Sequence, residues 1–153
     1  MASNPEQQAF LLQHQFRFAW NQEEGATVDS TEWLEIGEGI NNIEPAGNEV
    51  LVQDQYYSGG GFATTDVIGK QTVWTIGGHR DYNDPFQNVV FNELVHELGA
   101  ARRGTFRITY PDGTIFLTNS TIANIKEPGG DAVAKGGISL EVHNNEKPRK
   151  VSV

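Results

Sequence analysis

Few side chains in this chain could do chemistry, and their spacing argues against most of it. The histidines are His14, His79, His96 and His143. His96 and Glu97 open a string like the helical zinc motif His-Glu-x-x-His, but Ala100 stands where the second imidazole belongs. A metal held on one helical face needs both rings, so the motif fails. Glu93 and His96 have the Glu-x-x-His spacing of di-iron bundles, yet those sites need carboxylates from neighbouring helices, and only one helical segment is legible here. Gly37-Glu38-Gly39-Ile40-Asn41-Asn42 begins like a dinucleotide fingerprint, but it has Asn in place of the third Gly and no helix after it, so it reads as a turn. No lysine-bearing phosphate loop and no Gly-x-Ser-x-Gly elbow occurs. With no Cys there is no thiolate, disulfide or zinc–thiolate chemistry. Paired carboxylates such as Glu23-Glu24 are expected on the surface, and Arg102-Arg103 at a helix end. No catalytic residue, cofactor site or metal ligand is expected, and the chain does not read as an enzyme.

The other suggestive cluster is aromatic. Tyr56 and Tyr57 precede Ser58 and the triple glycine Gly59-Gly60-Gly61, and Phe62 follows. One reading packs these rings in the core or over a sheet edge. The other places them on a long hairpin loop over residues 54–71, whose aromatic base or tip docks on a partner. The second reading makes Tyr56, Tyr57 and Phe62 interface residues.

The elements that must position these groups are mostly strands. Residues 84–98, DPFQNVVFNELVHEL, carry the one sustained helical period, with Phe86, Val90, Leu94 and Leu98 at i+4 and Val89, Phe91 and Val95 widening the stripe. Asp84 suits the N-cap, Pro85 the first helical position and Gly99 a left-handed C-cap. Strand patterns run through Phe16-Phe18-Trp20, 31–38, 49–57, 61–69, 71–77, 105–110, 114–126 and 137–143, and Gly37–Pro45 is expected as a turn and short edge. The expectation is a mainly β (α+β) single domain over 1–153. It is an antiparallel sandwich or barrel flanked by one helix, with polar arms over 1–9 and 144–153. Three extended polar pieces on one small core favour self-assembly, because each gains order by lying on a neighbour.

Composition narrows the classes further. A chain of 153 residues supports one sizeable core. The net charge of −9 argues against a conventional nucleic-acid binder, whose surface must neutralise phosphates. No apolar run is long enough to span a membrane as a helix. The first residues lack the basic-then-apolar pattern of a secretion signal, so folding in a cytoplasm is expected.

Two strings carry a family resemblance: Trp33-Leu34-Glu35-Ile36-Gly37-Glu38-Gly39-Ile40, and Trp74-Thr75-Ile76-Gly77-Gly78-His79-Arg80 followed by Asp84-Pro85-Phe86-Gln87-Asn88 at the helix start. With the closing strands, residues 31–143 resemble the tail tube (major tail) proteins of long non-contractile-tailed bacteriophages. The resemblance implies a structural virion protein that forms stacked six-fold rings, with the hairpin and arms bridging subunits. It implies a tape-measure protein in the lumen, terminator and tail-tip proteins at the ends, and DNA passing through without specific binding. It implies residence in the virion tail after assembly in the host cytoplasm, with no membrane partner and no cofactor. An acidic lumen that does not hold DNA would suit the negative charge. Two rivals share parts of this evidence. A tube protein of a contractile injection or type VI secretion device would share fold and ring. A carbohydrate-binding β-sandwich would present Trp33, Trp74 or Tyr57 on an exposed platform.

Overall fold

The structure, a computed structural model, describes residues 10–151; the expected arm over 1–9 lies outside the described residues. The strands are β1 (Arg17–Asn21), β2 (Leu34–Ile36), β3 (Ile40–Ala46), β4 (Glu49–Gln55), β5 (Ala63–Lys70), β6 (Val73–His79), β7 (Arg103–Thr109), β8 (Ile115–Gly129), β9 (Gly137–Asn144) and β10 (Arg149–Val151). One α-helix, α1 (Pro85–Asn92), lies between β6 and β7. Eight strands form one antiparallel sheet in the order β2-β1-β7-β8-β9-β6-β3, with β10 added beside β8. Among the described residues β4 and β5 pair only with each other. The chain is mainly β with one flanking helix, as expected, and its sheet is a single surface curled into a half-barrel.

The connectivity explains the curl. β2 and β3 stand at opposite ends of the strand order, yet only Gly37, Glu38 and Gly39 join them. Laid flat, six strand spacings would separate them by ~29 Å. A three-residue link reaches ~14 Å at most. The sheet must therefore roll until its edges meet at this link. Side chains on the inner face confirm it: the rings of Phe18 on β1 and Trp74 on β6 lie 5.7 Å apart, and those of Trp74 and Phe106 on β7 lie 5.8 Å apart.

Strand burial follows the period of two. Along β9, Ile138, Leu140, Val142 and Asn144 are buried while the residues between them are half-exposed. The inner face and the helix share one core, built from Phe18, Trp20, Ile36, Ile76, Phe106, Ile122 and the β9 residues, with Phe86, Val90, Phe91 and Leu94 from the helical segment. Each such burial contributes roughly 1.5–3 kcal/mol. β8 serves both halves of the sheet. Residues 115–121 pair with β7, and 120–129 pair with β9 across irregularities after Ala123 and Lys126. Asn124 sits there at φ +50°, so the strand bends where the barrel turns.

Three boundaries differ from the sequence expectation. The helical segment expected over 84–98 is α-helical only to Asn92, then passes through 3-10 turns at Leu94–His96 and Gly99–Arg102. The helical ladder stops where Glu93 opens to φ −120°, and Arg102 occupies carbonyls further on that a resumed helix would need. Its guanidinium donates to the carbonyls of Val95 and Glu97, which a continuing helix would offer to residues 99 and 101. Leu98 is left outside at 86% exposure, while Leu94 stays buried. Gly99 is left-handed at φ +63°, but it opens the last 3-10 turn and does not cap α1. In the 54–71 stretch, only residues 56–62 form a turn; β4 and β5 make a ribbon from Glu49 to Lys70, with one register shift between Val50 and Leu51. In the 144–153 stretch, Arg149–Val151 folds back to pair with Leu117, Phe116 and Ile115 of β8.

Candidate functional site

The residues singled out for chemistry stay apart. His14, His79 and His96 are exposed and His143 is half-buried. His143 Nε2 lies 2.9 Å from Glu141 Oε1, which also accepts from Asn124 Nδ2 at 2.6 Å. These hydrogen bonds, Asn124's first, hold the Glu141 carboxyl below its ordinary range. Among the described residues no group of three or more His, Asp or Glu is placed to hold a metal ion. None of the described helices is long and apolar enough to cross a membrane. Trp74 packs inside the barrel against Phe18 and Phe106, and Trp33 lies against the Arg107 guanidinium at 4.7 Å, so these two do not share an exposed platform with Tyr57.

The two strings behind the family resemblance meet at one residue, Gln87, which sequence reasoning had not singled out. Its side chain is fully buried at the start of α1. Its Nε2 donates to the Glu38 carbonyl at 2.8 Å and the His79 carbonyl at 3.1 Å, and its Oε1 accepts from the Asp81 N–H at 2.7 Å. One amide thus ties the β2–β3 link, the end of β6 and the approach to the helix. Gly39 and Gly78 make the junction possible. Gly39 has φ +76°, and a Cβ there would come within 2.9 Å of Gln87 Nε2. A Cβ on Gly78 would run into the Gly39 carbonyl oxygen and lie 2.8 Å from Ile40 Cα. Arg80, also buried, donates to the Asp81 carbonyl and to Asn88 Oδ1 and lies over the rings of Tyr82 and Phe91. This junction fixes where the barrel edges meet; it presents no open chemistry.

Asp84 caps the helix, accepting the Gln87 N–H at 3.0 Å. Burial raises its carboxyl above the ordinary value against that hydrogen bond, and the Asp81 and Glu38 charges push the same way. A raised folded-state acid penalises the charged form: the penalty is absent below the unfolded value of 3.8 and complete above the folded value. Asp84→Asn keeps an acceptor and loses the charge. It should be at least as stable as the parent at pH 7, with the advantage shrinking as pH falls towards 3.8. Asp84→Ala should lose about 1 kcal/mol. Urea midpoints at pH 7 and pH 4 check both, and an Asn variant as weak as the Ala variant at pH 7 would refute the assignment.

Of the fourteen large apolar side chains exposed among the described residues, seven lie on the β4–β5 ribbon: Val50, Leu51, Tyr56, Tyr57, Phe62, Val67 and Ile68. The structure brings Tyr56, Tyr57 and Phe62 together around its tip, where Gly60 and Gly61 take φ +66° and +90°. Tyr57 is fully exposed. The base is tied down: Asn48 Nδ2 donates to the Gln71 carbonyl, and Gln71 Nε2 to the Asn144 carbonyl. A two-stranded ribbon alone is marginal in water, and β4 and β5 add to no other strand among the described residues.

Two further concavities accompany one of about 640 Å³ at the ribbon base, which is lined by Lys70, Gln71, Thr72 and residues 144–148. One, of about 370 Å³, opens at the seam between the β2 and β3 edges and is lined by Gln13, His14, Phe16, Ile36, Asn41 and Asn42 among others. The other, of about 170 Å³, is lined by Thr72, Trp74, Tyr110, Phe116, Thr118 and Pro148 among others. Trp74 Nε1 is buried and has no hydrogen-bond partner among the described residues.

No protein-family model matches this chain, and no curated protein matches it. Solved structures do share its fold. A chain in the tail of an empty gene transfer agent particle, refined with C6 symmetry, superposes with a TM-score of 0.67 at 14% identity, covering 94% of this chain and 100% of that one. A chain of the sheath–tube complex of an extracellular contractile injection system, in its extended state, gives 0.62 at 11%, covering 99% and 100%. A chain of the tube-terminating cap of the anti-feeding prophage gives 0.61 at 10%, covering 100% and 95%. The fold of this chain is therefore one that occurs in the tails of phage-like particles and in the tubes of injection systems.

Proposed function

We propose that this chain is a structural subunit that self-assembles into stacked, hexameric rings, forming the tail tube of a long-tailed, non-contractile phage. The observation that carries the proposal is the β4–β5 ribbon, which stands off a finished core with its apolar residues in solvent. A protomer that completes its core and leaves such a ribbon unsupported is built to lay it on a neighbour. The likeness to a chain from a C6-symmetric tail supports the ring, and a net charge of −9 suits a conduit that must not retain DNA. The role is non-enzymatic. The partners are further copies of the chain, a tape-measure protein in the bore, and terminator and tail-tip proteins at the ends. The place of action is the virion tail, after assembly in the host cytoplasm.

The likeness to chains from contractile injection systems favours a second reading, a tube inside a contractile sheath, with the same ring and ribbon. Negative-stain microscopy of the purified chain over a concentration series tests what both share. Rings or tubes should appear as concentration rises, while Tyr57→Asp should remain folded and give none. Isolated monomers of the parent chain at every concentration would overturn the proposal.

A further inference from the structure

We infer that the β4–β5 ribbon docks on a second copy through one of its two faces, the one that carries no net charge. The inference rests on the assembly proposed above and names the face it uses. Paired residues of an antiparallel ladder share a face, and faces alternate along each strand. One face therefore holds Leu51, Gln53 and Gln55 of β4 opposite Val67, Thr65 and Ala63 of β5. Gln53 Nε2 donates to Thr65 Oγ1 at 3.3 Å, as a shared face requires. The extra residue of the register shift is Ile68, on β5. β4 thus keeps its alternation, and Glu49 falls on this face too, opposite Lys70. The two charges cancel. The other face holds Val50 opposite Gly69, Val52 opposite Asp66 and Asp54 opposite Thr64.

Apolar content does not separate the faces, because Leu51 and Val67 on one are matched by Val50 and Val52 on the other. Charge does. Asp54 and Asp66 are diagonal neighbours on one face, and neither forms an ion pair among the described residues. Taking either carboxylate out of water without a cation is unfavourable, and taking both is worse. A partner that covered this face would have to bring positive charge. The neutral face makes no such demand. Leu51 and Val67 are 52% and 55% exposed, and only the uncharged Gln53, Thr65, Gln55 and Ala63 lie between them and the tip. There the row runs into a concavity of about 340 Å³ lined by Gln55, Tyr56, Tyr57, Gly60 and Gly61. A second copy fits the neutral face. Two chains of net charge −9 repel, so contact between them is least opposed where the surface contributes no net charge. A cationic partner would instead be drawn to Asp54 and Asp66.

Thr64 and Thr65 are adjacent, exposed and on opposite faces. Thr64→Lys and Thr65→Lys change the net charge equally, so only the face differs. Thr65→Lys should raise the critical concentration for assembly about tenfold or more, because it puts a charge into the contact. Thr64→Lys, beside Asp54 and Asp66, should shift it by less than roughly threefold. Far-UV circular dichroism checks that both fold. The chain has no Cys, so an introduced thiol reports one position. Maleimide labelling of Gln53→Cys should slow about tenfold or more on assembly, whereas Asp54→Cys should label at close to the rate of the dissociated protein. Equal effects of the two lysines would overturn the inference. So would slowing at Asp54→Cys alone, which reverses the faces, or equal slowing at both thiols. Tubes in which both thiols stay reactive would overturn it too and assign the ribbon to a different protein. All of these leave the assembly reading intact, and failure of the parent chain to assemble would overturn both.

Discussion

Leu94→Asp is expected to abolish the native fold, whereas Leu98→Asp, four residues further along the same apolar stripe, is expected to leave it intact. Leu94 is 4% exposed and belongs to the core shared by helix and sheet. Truncating a buried leucine costs about 2–5 kcal/mol through lost transfer energy and the cavity left behind. An aspartate adds either an unpaired buried charge or the cost of protonating it, each worth further kilocalories. Against a total stability of about 5–15 kcal/mol for a domain, the sum consumes most or all of the margin. Leu98 is exposed because the helix has already unwound, and its substitution should change stability by no more than about 0.5 kcal/mol. Near-UV circular dichroism and urea unfolding separate the two. A Leu94→Asp protein with the parent's midpoint, or a Leu98→Asp protein that fails to fold, would refute the assignment of the helix end.

The second large effect is expected at Gly78, where alanine should cost about 3 kcal/mol or more and loosen the barrel seam. Its Cβ would meet the backbone of Gly39 and Ile40 on the paired strand, which cannot swing aside as a side-chain tip does. Overpacking typically costs about 1–3 kcal/mol where side chains can yield; here β3 itself must move off β6. That movement also strains the Gln87 hydrogen bonds to Glu38 and His79, whose carbonyls would lose their partner. Amide exchange should accelerate across Ile40–Glu44 before it does so in β8 and β9. Unchanged exchange in β3 with a parent-like midpoint would show that the junction is softer than its geometry implies. Gly77, one residue earlier, provides the control, because a Cβ there finds only an ordinary contact with the Ile138 carbonyl at 3.8 Å.

The amino-acid sequence by itself determined the local chemistry of this protein. Alternation in β6, β7 and β9, the Asp84-Pro85 helix start and the missing second histidine after His96 are all properties of neighbouring residues, so they are legible one window at a time. The aromatic cluster at Tyr56, Tyr57 and Phe62 was legible for the same reason. The end of the helix was not. The periodic stripe runs on to Leu98, and only the structure shows the ladder stopping at Glu93, with Arg102 folded back onto two carbonyls beyond it. The segment Gly37–Pro45 reads in the sequence only as a turn and short edge, whereas β3 runs seven residues, and β10 reads as part of an arm; both owe their order to pairing with β6 and β8 more than to their own alternation. Gln87 looked like a polar residue on a helix; its role emerges only when three separate backbone segments converge on its amide. The cavity of about 170 Å³ at Trp74 is likewise a product of closure, because its walls come from β6, β7, β8, the end of β9 and the turn before β10. Local pattern is written residue by residue. What the protein can hold, and where its edges meet, depends on contacts between residues far apart in the chain, and only the rolled sheet decides those.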